Sequence, residues 1–148
     1  KGTAPKDIWI VQSYLQIILA DVSAAYTDGK KLGGSKDLIY QTVSYISANF
    51  RKSFLLEDMA KDLGVSKYVL SRIFSKTFHR NFNQYLNDAR LGYAKQRLET
   101  TNDPITTIWL DSGFESQRTF NREFKEKYKV SPSEYRRTLY ENLGEKMK

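Results

Sequence analysis

Apolar positions recur along this chain at steps of three and four residues, and no segment shows a sustained two-residue alternation. That period belongs to helices, not strands, so the chain is expected to be all-α without a sheet. The pattern is sharpest in two places. Between 55 and 74, apolar residues fall at Leu55, Leu56, Met59, Ala60 and Leu63, then at Val69, Leu70, Ile73 and Phe74, with Gly64 between the two stripes. The same arrangement returns 49 to 50 positions later. Leu56, Met59 and Gly64 are matched by Ile105, Ile108 and Gly113. After one extra residue in the second turn, Ser66, Leu70, Arg72 and Phe74 are matched by Ser116, Phe120, Arg122 and Phe124.

Each copy spells a short amphipathic helix, a tight turn and a second helix with Arg on its polar face. Gly64 permits the left-handed conformation that ends a helix, and Ser66 is a preferred N-cap for the next one. Small Ala60 lets the paired helices cross closely. This is a helix-turn-helix, whose second helix can lie in the DNA major groove. A plain helical hairpin in an all-α bundle is the alternative, and the duplication weighs against it.

The remaining pattern supplies the joints. Residues 7–26 carry Ile8, Val11, Leu15, Ile18, Val22 and Ala25 at spacings of 3, 4, 3, 4 and 3, an a/d heptad seam. Trp9, Ile10, Tyr14, Ile17 and Leu19 widen the apolar surface beyond one seam. Residues 27–35 (TDGKKLGGS) read as a Gly-rich polar linker. The heptad helix is expected to serve a partner subunit or a further domain; packing on the rest of this chain is the alternative. A helix over 36–49 follows, with Leu38, Ile39, Val43, Ile46 and Phe50 on one face. A long helix near 83–99 presents Tyr85, Leu86, Ala89, Tyr93, Ala94 and Leu98. Asn102-Asp103-Pro104 marks a break, with Asp103 as cap and Pro104 in the first turn. A last helix begins at Ser131-Pro132 and runs to about Tyr140.

Charge then narrows the partner. The 148 residues hold 24 Lys+Arg against 17 Asp+Glu, a net +7, and only one unit of that excess falls in 1–35. From Gly64 to Arg80 there is no acidic residue, while Lys67, Arg72, Lys76 and Arg80 are basic. Such a stripe on a helix-turn-helix attracts phosphates by counterion release. Cysteine is absent, so disulfides, thiolate metal sites and Cys nucleophiles are excluded. The single histidine, His79, stands at the end of the first recognition helix as a helix-terminus or phosphate-proximal residue. No phosphate-binding glycine loop, dinucleotide fingerprint or metal-ligand pair is visible, so no enzyme, cofactor or metal is expected. No apolar run is long enough to span a membrane and no signal peptide is visible, which fits a cytoplasmic protein. The sequence starts at Lys1 without a methionine, consistent with a fragment.

Taken together, these motifs resemble a known family. Leu70-Ser-Arg-Ile-Phe74, Tyr85-Leu86, Arg90-Leu91 with Ala94, Ile105-x-x-Ile108, Gly113-Phe114, Phe120-Asn-Arg-Glu-Phe-Lys125 and Ser131-Pro-Ser-Glu-Tyr-Arg136 occur in the order found in the DNA-binding domain of AraC/XylS-type transcription regulators. The resemblance covers 36–140. It implies seven helices in two helix-turn-helix subdomains, 36–81 and 101–140, joined by a long central helix over 82–100, within a DNA-binding domain of 36–148. It further implies that the two recognition helices enter successive major grooves on one face of the duplex. Within the segment 1–26, residues 7–26 look similar to the dimerisation helix that closes an effector domain absent here, with Ile8, Val11, Leu15, Ile18 and Val22 in a homodimer seam. Three positions depart from the family's pattern: Trp109 stands where a small residue is usual, and His79 and Lys129 stand where glycines usually follow the recognition helices.

Carried over position by position, the resemblance assigns base reading to Tyr68, Ser71 and Arg72 in the first recognition helix. In the second it assigns Gln117, Arg118, Asn121 and Arg122. The chemistry agrees, since Arg binds guanine O6/N7 bidentately and Gln or Asn binds adenine N6/N7. Ser66, Lys67, Lys76, Ser116 and Lys125 are assigned to phosphates, which set register and not sequence. For Arg72 and Arg122 the alternative is a structural salt bridge to a neighbouring helix. Leu70, Ile73, Phe74, Phe120 and Phe124 are core. The expected function is a sequence-specific DNA-binding transcription regulator, an activator that also contacts RNA polymerase. A helical protein–protein adaptor and a non-regulatory architectural DNA binder are the alternatives.

Overall fold

A computed structural model describes residues 34–145; the heptad seam at Ile8, Val11, Leu15, Ile18 and Val22, and most of the linker, lie outside the described residues. Among the described residues there are seven helices and no strand. They are α1 (Gly34–Asn49), α2 (Leu56–Asp62), α3 (Lys67–Lys76), α4 (Phe82–Thr100), α5 (Ile105–Asp111), α6 (Gln117–Tyr128) and α7 (Pro132–Glu145). The chain divides into two units between Ala89 and Arg90, inside α4.

In the first unit the expected stripes supply the core, except that Val69 of the second stripe is left 41% exposed. Val43, Ile46 and Phe50 from α1 and its end are buried with Met59 and Ala60 of α2 and Leu70 and Phe74 of α3. Phe74 lies at the centre of an aromatic cluster: its ring is 5.5 to 5.8 Å from those of Phe78, Phe82 and Tyr85. Edge-on and tilted pairs at this spacing add to simple area burial. Thr42 is also fully buried, with its hydroxyl donating to the Leu38 carbonyl at 2.7 Å.

The second unit repeats the plan. Leu91, Ala94 and Leu98 of α4 pack with Ile108 of α5, Phe114 of the turn, and Phe120 and Phe124 of α6. Tyr135 of α7 and Tyr128 pack against this core. Trp109 does too, so the large side chain is taken up at the rim of the core, half-buried, with α5 and α6 both formed. Its indole N–H is buried and has no hydrogen-bond partner among the described residues.

Several local expectations are corrected. Asp103 does not cap α5: its carboxylate pairs with Arg97, and Pro104 occupies the N-cap position without a side-chain cap, one residue before the first turn. A guanidinium six residues upstream outcompetes the neutral amides of the helix end for that carboxylate. The last helix continues to Glu145, five residues past its expected end. Leu38, Ile39, Ile73 and Tyr93 are half-buried, not core. Leu55 is 66% exposed because it is the N-cap of α2, where the Asp58 carboxylate accepts its backbone N–H at 2.8 Å.

Candidate nucleic-acid interface

Both recognition helices begin in the same way. Gly64 and Gly113 take φ of +66° and +82°, the left-handed region that glycine enters at no steric cost. The backbone then extends, and Ser66 and Ser116 cap α3 and α6 by accepting the N–H of Val69 at 3.4 Å and of Thr119 at 3.2 Å. These caps satisfy N–H groups that a helix start leaves without partners. The far ends also match. His79 and Lys129 hold φ of +52° and +67°, so the departures from glycine are accommodated in left-handed backbone and not by another route.

With Leu70 and Phe74 buried, the opposite face of α3 carries Tyr68, Ser71, Arg72 and Lys76, all exposed. With Phe120 and Phe124 buried, α6 exposes Gln117, Arg118, Asn121, Arg122 and Lys125. All seven side chains assigned to base edges are therefore exposed on the outer faces of two capped helices. Of those assigned to phosphates, Ser66, Lys67, Lys76 and Lys125 are exposed and Ser116 is half-buried.

Neither Arg is locked to a neighbouring helix. Arg72 makes no ion pair among the described residues, and Arg122 pairs within its own helix, to Glu123 at 2.9 Å. Lys67 does reach another helix: its ammonium donates to Glu57 of α2 at 3.1 Å. That hydrogen bond, with the Glu57 charge, holds the Lys67 amine above its ordinary range.

Two features were missed from the sequence. Arg90 is buried in α4, its guanidinium 5.9 Å from the Phe114 ring centroid, and burial pulls it down from its ordinary range against the opposing Glu115 charge. A long-chain cation amid an apolar period signals nothing until its aromatic partner is known. At the C-terminal end of α3, Ser71 and Ser75 of that helix line an open concavity of about 430 Å³ with His79, Arg80, Asn81 and Gln84. Its rim is fixed by Arg80, paired with Asp88 at 3.0 Å, and by Asn81 and Gln84, whose side chains each accept the other's backbone N–H. The acid-free run Gly64–Arg80 was the signal for this end of the surface.

The comparisons with known proteins agree with this geometry. A family model described as a helix-turn-helix domain matches residues 59–138. Regulatory protein SoxS of Salmonella typhimurium is 33% identical over 104 residues, 70% of this chain and 97% of that protein. Multiple antibiotic resistance protein MarA of Escherichia coli K12 is 33% identical over 100 residues, 68% of this chain and 79% of that protein. A solved transcriptional regulator from Chromobacterium violaceum, described by its AraC-type DNA-binding domain, superposes with a TM-score of 0.66 at 29% identity, covering 72% of this chain and 95% of that one. Two capped recognition helices, the matched domain and these relatives establish that the chain belongs to the AraC/XylS family of DNA-binding transcription regulators.

Proposed function

We propose that this chain is a transcription activator whose α3 and α6 enter successive major grooves of duplex DNA. Tyr68, Ser71 and Arg72 read base edges in one groove, and Gln117, Arg118, Asn121 and Arg122 in the next. Ser66, Lys67, Lys76, Ser116 and Lys125 hold phosphates and fix the register. The observation that carries this reading is the exposure of all seven base-reading side chains on two helices oriented by matching Ser caps and left-handed glycine turns. The DNA-binding domain is placed at 36–148, with heads in 36–81 and 101–140 joined through 82–100.

Relatives described as regulatory and resistance proteins support a regulatory role, and a contact with RNA polymerase completes the activator reading. Residues 1–26 are assigned to a dimerisation element of a further domain, joined by 27–35, from the seam of Ile8, Val11, Leu15, Ile18 and Val22. The action is binding without catalysis, in the cytoplasm. No helix among the described residues is long and apolar enough to cross a membrane.

The test is a duplex-binding titration across ionic strength. Affinity is expected to fall about 10³-fold or more between roughly 50 and 200 mM salt if six or more phosphates are neutralised. Binding that hardly responds to salt overturns the reading and favours a protein–protein adaptor.

A further inference from the structure

The two recognition helices share a frame but not a surface chemistry. The first turn of α6 offers only polar groups: Gln117 and Arg118 are exposed, and the Thr119 side chain accepts a hydrogen bond from the Ser116 hydroxyl at 3.0 Å. The first turn of α3 places Val69 where α6 has Thr119. Val69 is 41% exposed, next to Tyr68 at 73%. A surface valine is costly at this position, because β-branching lowers helix propensity and apolar area is left in water. It is also held rigidly. The Ser66 cap pins its backbone N–H, and a β-branched side chain in a helix keeps essentially one χ1 rotamer, so its methyl groups have a fixed direction.

What lies against these methyl groups follows from their surroundings. Arg72 and Lys76, three and seven residues on, share the side of α3 that carries Val69, and no acidic residue occurs from Gly64 to Arg80, which suits a polyanion and repels a cationic peptide. The N-terminal turn of a recognition helix is the part that meets base edges. In the major groove the one apolar feature among the base edges is the C5-methyl group of thymine. Resting on the DNA-binding reading above, we propose that Val69 is a specificity-determining residue of α3 that packs on a thymine C5-methyl group. Arg72 lies three residues on, one turn along the same flank, about 4.5 Å at 1.5 Å per residue. That distance is close to the roughly 3.4 Å between successive bases of one strand, so the thymine falls within two base steps of the guanine bound by Arg72.

The experiment uses the 148-residue chain and the duplex it selects from a randomised library. Each thymine is replaced in turn by uracil, which removes only the C5-methyl group. One replacement, within two steps of the base pair whose preference Arg72→Ala relaxes, should weaken binding about three- to fivefold, the scale of one buried methyl group. Val69→Ala should weaken binding to the thymine duplex by a similar factor and abolish the thymine–uracil difference, leaving the far-ultraviolet helix signal unchanged. Methyl sensitivity that survives Val69→Ala, or is absent near the Arg72 base pair, overturns the assignment of Val69 while leaving DNA reading intact. Failure to select any preferred duplex overturns the DNA-reading assignment and this proposal with it.

Discussion

The Tyr45 hydroxyl of α1 donates a 2.7 Å hydrogen bond to the Asp62 carboxylate at the end of α2, tying two successive helices together through residues 17 positions apart. Partial burial, then that bond and the negative charges of Asp62 and Asp58, push the phenol up from 10.0 to about 12. The unfolded chain therefore gives up this proton before the folded one does. The stabilising contribution is fully present below pH 10 and is lost as pH rises towards 12. The melting temperature of Tyr45→Phe should lie below wild type by a constant amount up to pH 10 and converge on it above. A gap that stays constant to pH 12 would mean that the tie contributes no pH dependence.

The two arginines of the recognition faces should behave alike. Arg72→Ala and Arg122→Ala are each expected to cost about 1–3 kcal/mol on a specific duplex and to relax preference at one location each, about one helical turn apart. Lys125→Ala should instead lower affinity evenly across sequences, as a phosphate contact does. Selection from randomised duplexes separates these outcomes. An unchanged preference in Arg122→Ala alone would remove α6 from base reading.

The helix ends give a stability prediction with opposite signs. Ser116→Ala removes the cap of α6 and should cost about 1 kcal/mol in chemical denaturation. Gly113→Ala places a Cβ in left-handed backbone and should cost about 1–2 kcal/mol. Lys129→Gly relieves that conformation at the far end and should stabilise by under about 1 kcal/mol, because it also loses the ammonium's 2.8 Å bond to the Glu126 carbonyl. A destabilised Lys129→Gly would show that this bond outweighs the backbone strain.

In the second unit Arg136 of α7 donates to the carbonyls of Asp103 at 2.5 Å and Thr101 at 3.4 Å, while Arg97 holds the Asp103 carboxylate. Truncation by Arg136→Ala leaves the 101–104 loop without these donors. The cost should be about 1–3 kcal/mol, and hydrogen exchange should accelerate in α5 and α7 while α1 to α3 keep wild-type protection. Uniform acceleration in both units would contradict a local clamp.

What the sequence disclosed and what it concealed divide along the range of the interactions. Ser66, Ser116, Gly64 and Gly113 were legible because caps and left-handed turns are decided within four residues. The buried faces of α3 and α6 were legible because Leu70, Phe74, Phe120 and Phe124 recur at helical period. Asp103 was misread because its partners, Arg97 and Arg136, act on it from six and 33 residues away. Arg90 stood in a recognised motif, but its burial against Phe114, 24 positions on, was concealed for the same reason. Trp109 stands where a small residue is usual, yet the rim of the second core takes the indole at the expense of an unbonded N–H.

The pairing of Lys67 with Glu57 gives the interface an internal counterion. A phosphate that takes the Lys67 ammonium leaves Glu57 without its partner, and Glu57 then recruits a cation from solution. One ion is taken up for one released from the DNA, so this contact adds little to the net ion release that drives binding. The salt slope should therefore fall short of the number of basic side chains at the duplex. Polyanions that offer phosphates without matching bases gain least from this exchange, so Glu57 weakens indiscriminate binding and leaves base contacts to decide where the protein settles.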